Sequence, residues 1–351
     1  MSSEECAMIL HGPWRENFRE GGDSIYDARR MDDTKPRLIA ADEISRALPH
    51  INVVAAMERA FVAYSEGRAV VPPVGELEFE KPPGDVHIKY GYVRGEEFYV
   101  IKVASGFYEN PALGLSSSDG LMLLFRQRTG ELAAILLDEG RLTDVRTAAA
   151  GAACAKHLAP REVRCIGIVG TGIQARLQLE WLKGVVTCRE AVVWGRDDDR
   201  LAACAADMTA LGFTIVLTRD IRRLAECCNL IVTTTPSREA LLDASMIRPG
   251  THITAVGADA PSKRELAGDV LRRADVVVAD SLAQCRVRGE IARAVEDGLF
   301  DMSHAVELGA VIAGRAAGRR DDRQITVADL TGVAVQDMAI AQEIFKQVTG
   351  R

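Results

Sequence analysis

The chain has 351 residues, of which 48% are hydrophobic and 26% charged, and its formal net charge is -7. That length suits two domains around separate cores, and the negative balance offers no general attraction to nucleic acid or acidic membrane surfaces. The longest apolar runs, such as "LMLLF" and "DVVVAD", fall far short of the roughly 20 residues that cross a bilayer, so a soluble, cytoplasmic protein is expected.

Residues 1–35 mix charges in "REGGD" and "ARRMDD" without an apolar signal region, and read as a mobile extension. From Leu38 the pattern opens with helices: Asp42 is placed to cap a short first one, and Val53, Met57, Ala60, Phe61 and Tyr64 give a second its apolar face. Short apolar runs follow in "GELEFE", "DVHIKYG", "FYVIKVA", "GLMLLFR" and "AAILLDE", separated by Pro82, Pro83, Gly95, Pro111 and Gly130. They read as a meander of strands in one antiparallel sheet. Alanine-rich "LTDVRTAAAGAACAKHLA" then reads as a helix starting at Thr143 or Asp144 and joining two domains.

Beyond it, strands and helices alternate through "VRCIGIVG", "ARLQLEWLKG", "AVVWG", "FTIVL", "LIVTTT", "HITAVGA" and "ADVVVAD". Alternation of this kind predicts a parallel sheet covered by helices on both faces, a Rossmann-type doubly wound α/β domain beside an α+β one. The tail "QITVADLTGVAVQDMAIAQEIFKQV" reads as a strand, a glycine turn and an amphipathic helix returning to the first domain. Eight cysteines carry no CxxC pair and no histidine at zinc-ligand spacing, so they are expected to be reduced core residues and no metal site is expected.

In "IGIVGTGIQARLQ" the small residues Gly170, Gly172 and Ala175 form a GxGxxA turn between a strand and a helix. The first glycine permits the tight turn, the second lets backbone approach a pyrophosphate, and the alanine allows close packing, with the helix amino terminus favouring negative charge. Ile173 and Gln174 lie within this turn. Thr234, Thr235, Val256 and Gly257, at the ends of two later strands, complete the cofactor-binding candidates. In "VVWGRDDDR", Arg196 favours the 2′-phosphate of NADP, whereas Asp197 and Asp198 suit NAD or cap the next helix; the order of residues leans to NADP.

Three residues carry the chemistry. Lys102 lies in an apolar strand run, where a lysine needs a partner or a task or else snorkels at an edge. Arg146 sits early in the alanine-rich helix, where its planar fork suits a carboxylate. Asp259 falls at the carboxyl edge of the parallel sheet, where open α/β sheets bind ligands. "DAPSKREL" also offers Ser262 as a helix cap with Glu265 three residues on, which leaves Asp259 for proton transfer.

The ordered set "IKVASGFYENP", "LTDVRTAAAGAACAKHLA", "GIVGTGIQARLQ", "TTTPS", "RPGTHITAVGADAPSKREL", "RGE" and "TGVAVQD" resembles the ornithine cyclodeaminase/mu-crystallin family from about Leu38 to the end. Within it, "GFYENPALGL" and "ILLDEGRLTDVRTAAAGA" look similar to the branch of cyclodeaminases assigned to ectoine utilisation. The resemblance implies a substrate-binding and dimerisation domain over 36–150, an NAD(P)-binding domain over 151–324 and a tail over 325–351 that returns to the first, in a homodimer. It implies that Lys102 and Arg146 hold the substrate carboxylate, that Asp259 is the base of true cyclodeaminases, and that Lys263 accompanies it. A further substrate arginine common in the family is absent from "VVPPVGELEFEK"; Lys89 replaces it or is an exposed strand lysine, and Glu76 and Glu78 line the cavity or face solvent.

Three activities follow as expectations. The first is cyclodeamination of a small diamino acid, with hydride leaving and returning to the α-carbon while the terminal amine displaces ammonia. The second is reduction of an imino acid, or amino-acid dehydrogenation, with Asp259 as proton donor. The third is a crystallin-like protein that binds NADPH without turnover.

Overall fold

The computed structural model describes residues 35–107 and 109–350. The extension expected over 1–35 lies, apart from Lys35, outside the described residues. The chain enters through β1 (Arg37–Ile39) and α1 (Ala41–Ala47), then α2 (Val53–Ser65), where Asn52 caps by accepting from the Ala55 N–H at 3.1 Å. Asp42 does not cap α1: it lies inside the helix and pairs with Arg46 at 2.8 Å, while Ala40 holds the cap position.

Next come β2 (Ala69–Val70), β3 (Gly75–Glu80), β4 (Pro83–Val93), β5 (Phe98–Phe107), β6 (Ser118–Arg126) and β7 (Leu132–Leu136). These pair antiparallel, as the meander predicts, but β1 adds to β7 in parallel, so the sheet is mixed. One face packs on α2 and on the carboxyl-terminal helix, burying Phe98, Val100, Met122 and Leu124. The linking helix α3 (Arg141–Leu158) begins just after Gly140, earlier than the sequence suggests, because the Asp138 carboxylate accepts from the Leu142 N–H at 2.9 Å and supplies the missing cap. Its alanines are buried on nearly all sides, which lets the helix lie between α2 and its successor at close range. A domain boundary at residue 150 therefore falls inside a single helix.

The second half runs β8 (Ile166–Val169), α4 (Ile173–Leu182), β9 (Glu190–Trp194), α5 (Asp198–Ala210), β10 (Thr214–Thr218), α6 (Ile221–Cys227), β11 (Leu230–Thr233) and β12 (His252–Ala255). It continues through α7 (Gly268–Arg273), β13 (Val276–Ala279), α8 (Gly289–Glu296), β14 (Ala305–Glu307), α9 (Leu308–Ile312), β15 (Thr326–Asp329) and α10 (Val335–Thr349). Its strands form a wholly parallel sheet in the order β10-β9-β8-β11-β12-β15-β13-β14. The order reverses between β8 and β11, and the crevice at the carboxyl ends of such a pair is where doubly wound sheets take a ligand.

The tail is divided. β15 inserts between β12 and β13 of the parallel sheet, and only α10 returns to pack on α2, α3, β4 and β5. The two halves also do not keep the separate cores expected from length: one continuous cluster of buried apolar side chains runs from Ile39 and Phe61 through Cys154 to Ile168 and Ile344, and a second covers the far face of the parallel sheet. No helix among the described residues is long and apolar enough to cross a membrane.

Candidate active site

A cleft of about 440 Å³ opens between the two halves, lined on one side by Lys89 and Arg146 and on the other by Gln174, Thr235, Gly257 and Asp259. The segments after β11, β12 and β15 and the first residues of α4 complete its lining. Gly170 ends β8 with φ 126, and a Cβ there would come within 2.6 Å of the Thr234 hydroxyl, so the turn requires glycine. At Gly172 a side chain would meet nothing within 4 Å, which leaves backbone open to a ligand at the start of α4. Ala175 is fully buried against its neighbours, Ile173 is exposed at the rim, and Gln174 donates to the Asp144 carbonyl and carboxylate at 3.1 Å each. These residues fit a dinucleotide.

Arg196 follows β9. Both acids beside it are engaged: Asp197 caps α5 by accepting from the Arg200 N–H at 2.9 Å, and Asp198 pairs with Arg219 at 3.3 Å. The floor is braced by Glu265. Its carboxylate accepts from the Thr233 hydroxyl (2.7 Å), the Thr235 N–H and hydroxyl (2.6 and 2.7 Å) and the Gly257 N–H (2.8 Å). Burial pushes this carboxyl up to about 7 against those bonds. Here the expected capping box fails. "SKREL" forms no helix, since Glu265 is drawn inward to four donors instead of back to Ser262, and the next helix starts only at Gly268.

The opposite wall holds the cations. Lys89 on β4 and Lys102 on β5 are direct cross-strand partners on the buried face of the sheet. Like charges set opposite one another are costly, and a counter-ion resolves it. Asp337 on α10 accepts from Lys102 Nζ at 3.1 Å and from Arg146 Nε at 3.0 Å, while Arg146 Nη1 reaches Gln336 at 3.1 Å and Lys89 Nζ donates to the Gly332 carbonyl at 2.7 Å. Burial would raise the Asp337 carboxyl, but the charges of Lys102 and Arg146 hold it below the ordinary value. Burial lowers the ammonium of Lys102, and lowers that of Lys89 to about 7 with help from Lys102 and Arg146.

Lys89 is thus a buried cleft residue, not an exposed strand lysine. Its ammonium is present below about pH 7 and lost above it. If it helps hold an anionic substrate, kcat/KM, which reports the free enzyme, falls as pH rises through about 7. A charge-assisted hydrogen bond sets the drop at about ten- to a hundredfold. Steady-state rates across pH for the wild type and Lys89→Met check this: the variant is expected to be slow at low pH and to lack that limb, and an unchanged limb would remove Lys89 from the role.

Asp259 projects from the loop after β12, with its side chain 54% exposed in the cleft and 2.6 Å from Lys263 Nζ. Burial by the cleft walls acts to raise its carboxyl, but Lys263, aided by Lys89 and His87, outweighs that and holds it below the usual carboxylate range. The side chain is therefore ionised, the form a base requires. Two residues went unassigned in the sequence: Asp337, whose partners lie more than 190 positions away, and Arg288, which is buried and pairs with Glu76 at 2.8 Å. Glu76 lies opposite His87 of β4 and, like Glu78, is exposed; neither lines the cleft.

The profile of the ornithine cyclodeaminase/mu-crystallin family matches residues 35–351. An uncharacterised cyclodeaminase of Sinorhizobium fredii is 41% identical over 319 residues, covering 90% of this chain and 96% of that protein. An alanine dehydrogenase of Archaeoglobus fulgidus is 34% identical over 316 residues, covering 90% and 95%. The solved Δ1-pyrroline-2-carboxylate reductase of Thermococcus litoralis, in complex with NADH and L-proline, superposes with a TM-score of 0.84 at 29% identity, over 90% of this chain and 98% of that one.

Proposed function

The chain belongs to the ornithine cyclodeaminase/mu-crystallin family, and from that premise we propose that it is an NAD(P)-dependent cyclodeaminase of a small diamino acid. The observation that carries this reading is the ionised Asp259, held by Lys263 in a cleft whose far wall bears Lys89 and Arg146, with Lys102 buried behind them on Asp337. When bound, the nicotinamide supplies the hydride acceptance and return at the substrate α-carbon.

Arg146, with its fork, and the two lysines hold the α-carboxylate and so fix the α-carbon against the dinucleotide floor. Asp259 takes the proton that an ammonium group must shed before its lone pair can drive hydride from the α-carbon or attack an imine carbon. The second amine then closes the ring and ammonia leaves. Gly170 and Gly172 would hold the pyrophosphate, Ala175 packs the helix behind them, and Thr234, Thr235, Val256 and Gly257 would lie beneath the reactive end. Because Asp197 and Asp198 are already committed, Arg196 is the group left to read the ribose, which favours NADP. We place a second copy on the helix-free face of the first sheet, where Tyr90, Ile101, Tyr99 and Phe125 line up across strands and the last two stack at 4.9 Å.

A second reading stops after one hydride transfer, as imino-acid reduction or amino-acid dehydrogenation. Glu76 favours it, since this acid is exposed and already bound to Arg288, and so has less to offer a second amine. Incubation with catalytic NAD(P)+ and ornithine, 2,4-diaminobutyrate or lysine separates the two. Ammonia and a cyclic amino acid without net cofactor reduction are expected, with NADP+ the better nucleotide. Stoichiometric oxidation of NAD(P)H by cyclic imines, with no ammonia from any diamine, would replace cyclodeamination with reduction.

A further inference from the structure

The segment Arg288-Gly289-Glu290 leads into α8, and its side chains are spent on one task, holding the loop that carries Asp259. Arg288 Nη1 donates to the Asp259 carbonyl at 3.3 Å. The Glu290 carboxylate accepts from the Glu265 and Leu266 N–H groups at 2.7 and 3.0 Å. Further along, Arg293 donates to the Pro261 carbonyl, and Arg264 of the loop pairs with Asp297 at the end of the helix. Arg288 also crosses to the other half of the molecule, where Nη2 meets Glu76 of β3 at 2.8 Å with the Arg288 side chain only 8% exposed. Glu76 stands directly opposite His87, two positions before Lys89 on β4.

We infer that Arg288 is a positioning residue: it pins the main chain at Asp259 and ties that point to β3, so that the base is set in register with the strand that carries Lys89. The inference rests on the reading of Asp259 as the base. The need for such a tie is physical. The stretch from Val256 to Ala267 has no helix or strand to order it, each freely rotating residue costs about 1–2 kcal/mol to fix, and a misplacement of about 1 Å can cost a hundredfold in rate. Asp259 and the substrate cations arrive from different halves of the chain, so a bond spanning both halves is what fixes their separation. A buried guanidinium serves because it reaches a carbonyl and a carboxylate at once in a rigid fork.

The test is a double-mutant cycle. Arg288→Ala and Arg288→Lys are made alone and with Asp259→Asn, and kcat, KM and NADPH affinity, the last by fluorescence of the bound nucleotide, are measured for each. Alone, Arg288→Ala is expected to lower kcat by about ten- to a hundredfold, with NADPH affinity changed less than twofold and partial recovery in Arg288→Lys. Added to Asp259→Asn it is expected to cost nothing more. Should it multiply the loss in that background, Arg288 acts independently of Asp259 and the inference falls. Full activity in Asp259→Asn alone would instead bring down the base assignment itself. Glu76→Gln, which leaves Arg288 in place and loosens its tie to β3, carries the same cycle if Arg288→Ala does not fold: a smaller loss of kcat alone and none beside Asp259→Asn supports the inference, and equal losses in both backgrounds overturn it.

Discussion

Asp259→Asn is expected to lower turnover by about a hundred- to ten-thousandfold, the usual worth of a positioned general base, while the NAD(P) dissociation constant stays within about twofold. Asparagine keeps the shape of the side chain and can still accept a bond from Lys263, which lies 2.6 Å away in the native pair. It cannot take a proton. The loop should stay in place, because Arg288 holds it through the main-chain oxygen and Glu265 through the ends of β11 and β12. The floor proposed for the cofactor, at Gly170, Gly172 and the β11 end, is not touched by the substitution. As the proposed base, Asp259 would work above its own pKa, which Lys263 holds below the ordinary carboxylate value once burial has been offset. Activity dependent on it should persist into acid pH and fade only as pH drops through that lowered value. The variant should show no such limb. Turnover above about a tenth of wild type, or a large loss of nucleotide affinity, would contradict the assigned role.

Asp337→Ala is expected to cost about 3 to 5 kcal/mol of unfolding free energy, the scale for removing one partner of a buried ion pair. One oxygen of Asp337 accepts from both Lys102 and Arg146, and all three side chains are nearly inaccessible to solvent. Without it, Lys102, Arg146 and Lys89 crowd one wall with the carboxylate that pairs with two of them gone. The ammonium of Lys102, already lowered by burial, loses the carboxylate that raises it and is held neutral more readily. Substrate affinity should therefore fall along with stability. Urea unfolding followed by circular dichroism gives the first quantity and the KM for an amino-acid substrate the second. A loss below about 1 kcal/mol would show that Asp337 is not the counter-ion that lets these cations be buried.

The part of the site carried by local spacing was legible in the sequence. A GxGxxA turn needs only its strand and helix neighbours to be recognised, and the parallel order of β8, β9 and β11 follows from the alternation around it. The place of Asp259 past a strand end, in the cleft, was legible for the same reason. Other features depend on partners that spacing cannot reveal. Asp337 acquires its role through residues on β5 and α3, and Arg288 through Glu76 on β3, so neither stands out along the chain. Ser262 and Glu265 show the opposite failure: a capping pattern is present at short range, but four donors from β11 and β12 outbid it. Asp42 failed likewise, since Arg46 one turn on offers it a partner within the helix.

The insertion of β15 between β12 and β13 sets an order on biosynthesis. Both neighbours are made well before residue 326 leaves the ribosome, so for that interval they present unpaired edges to one another's flanks and to other chains. The same late segment delivers Asp337 on α10, so Lys102 and Arg146 wait for their counter-charge over the same period. Neither the parallel sheet nor the buried ion cluster can therefore be complete before the segment from β15 to α10 has been made.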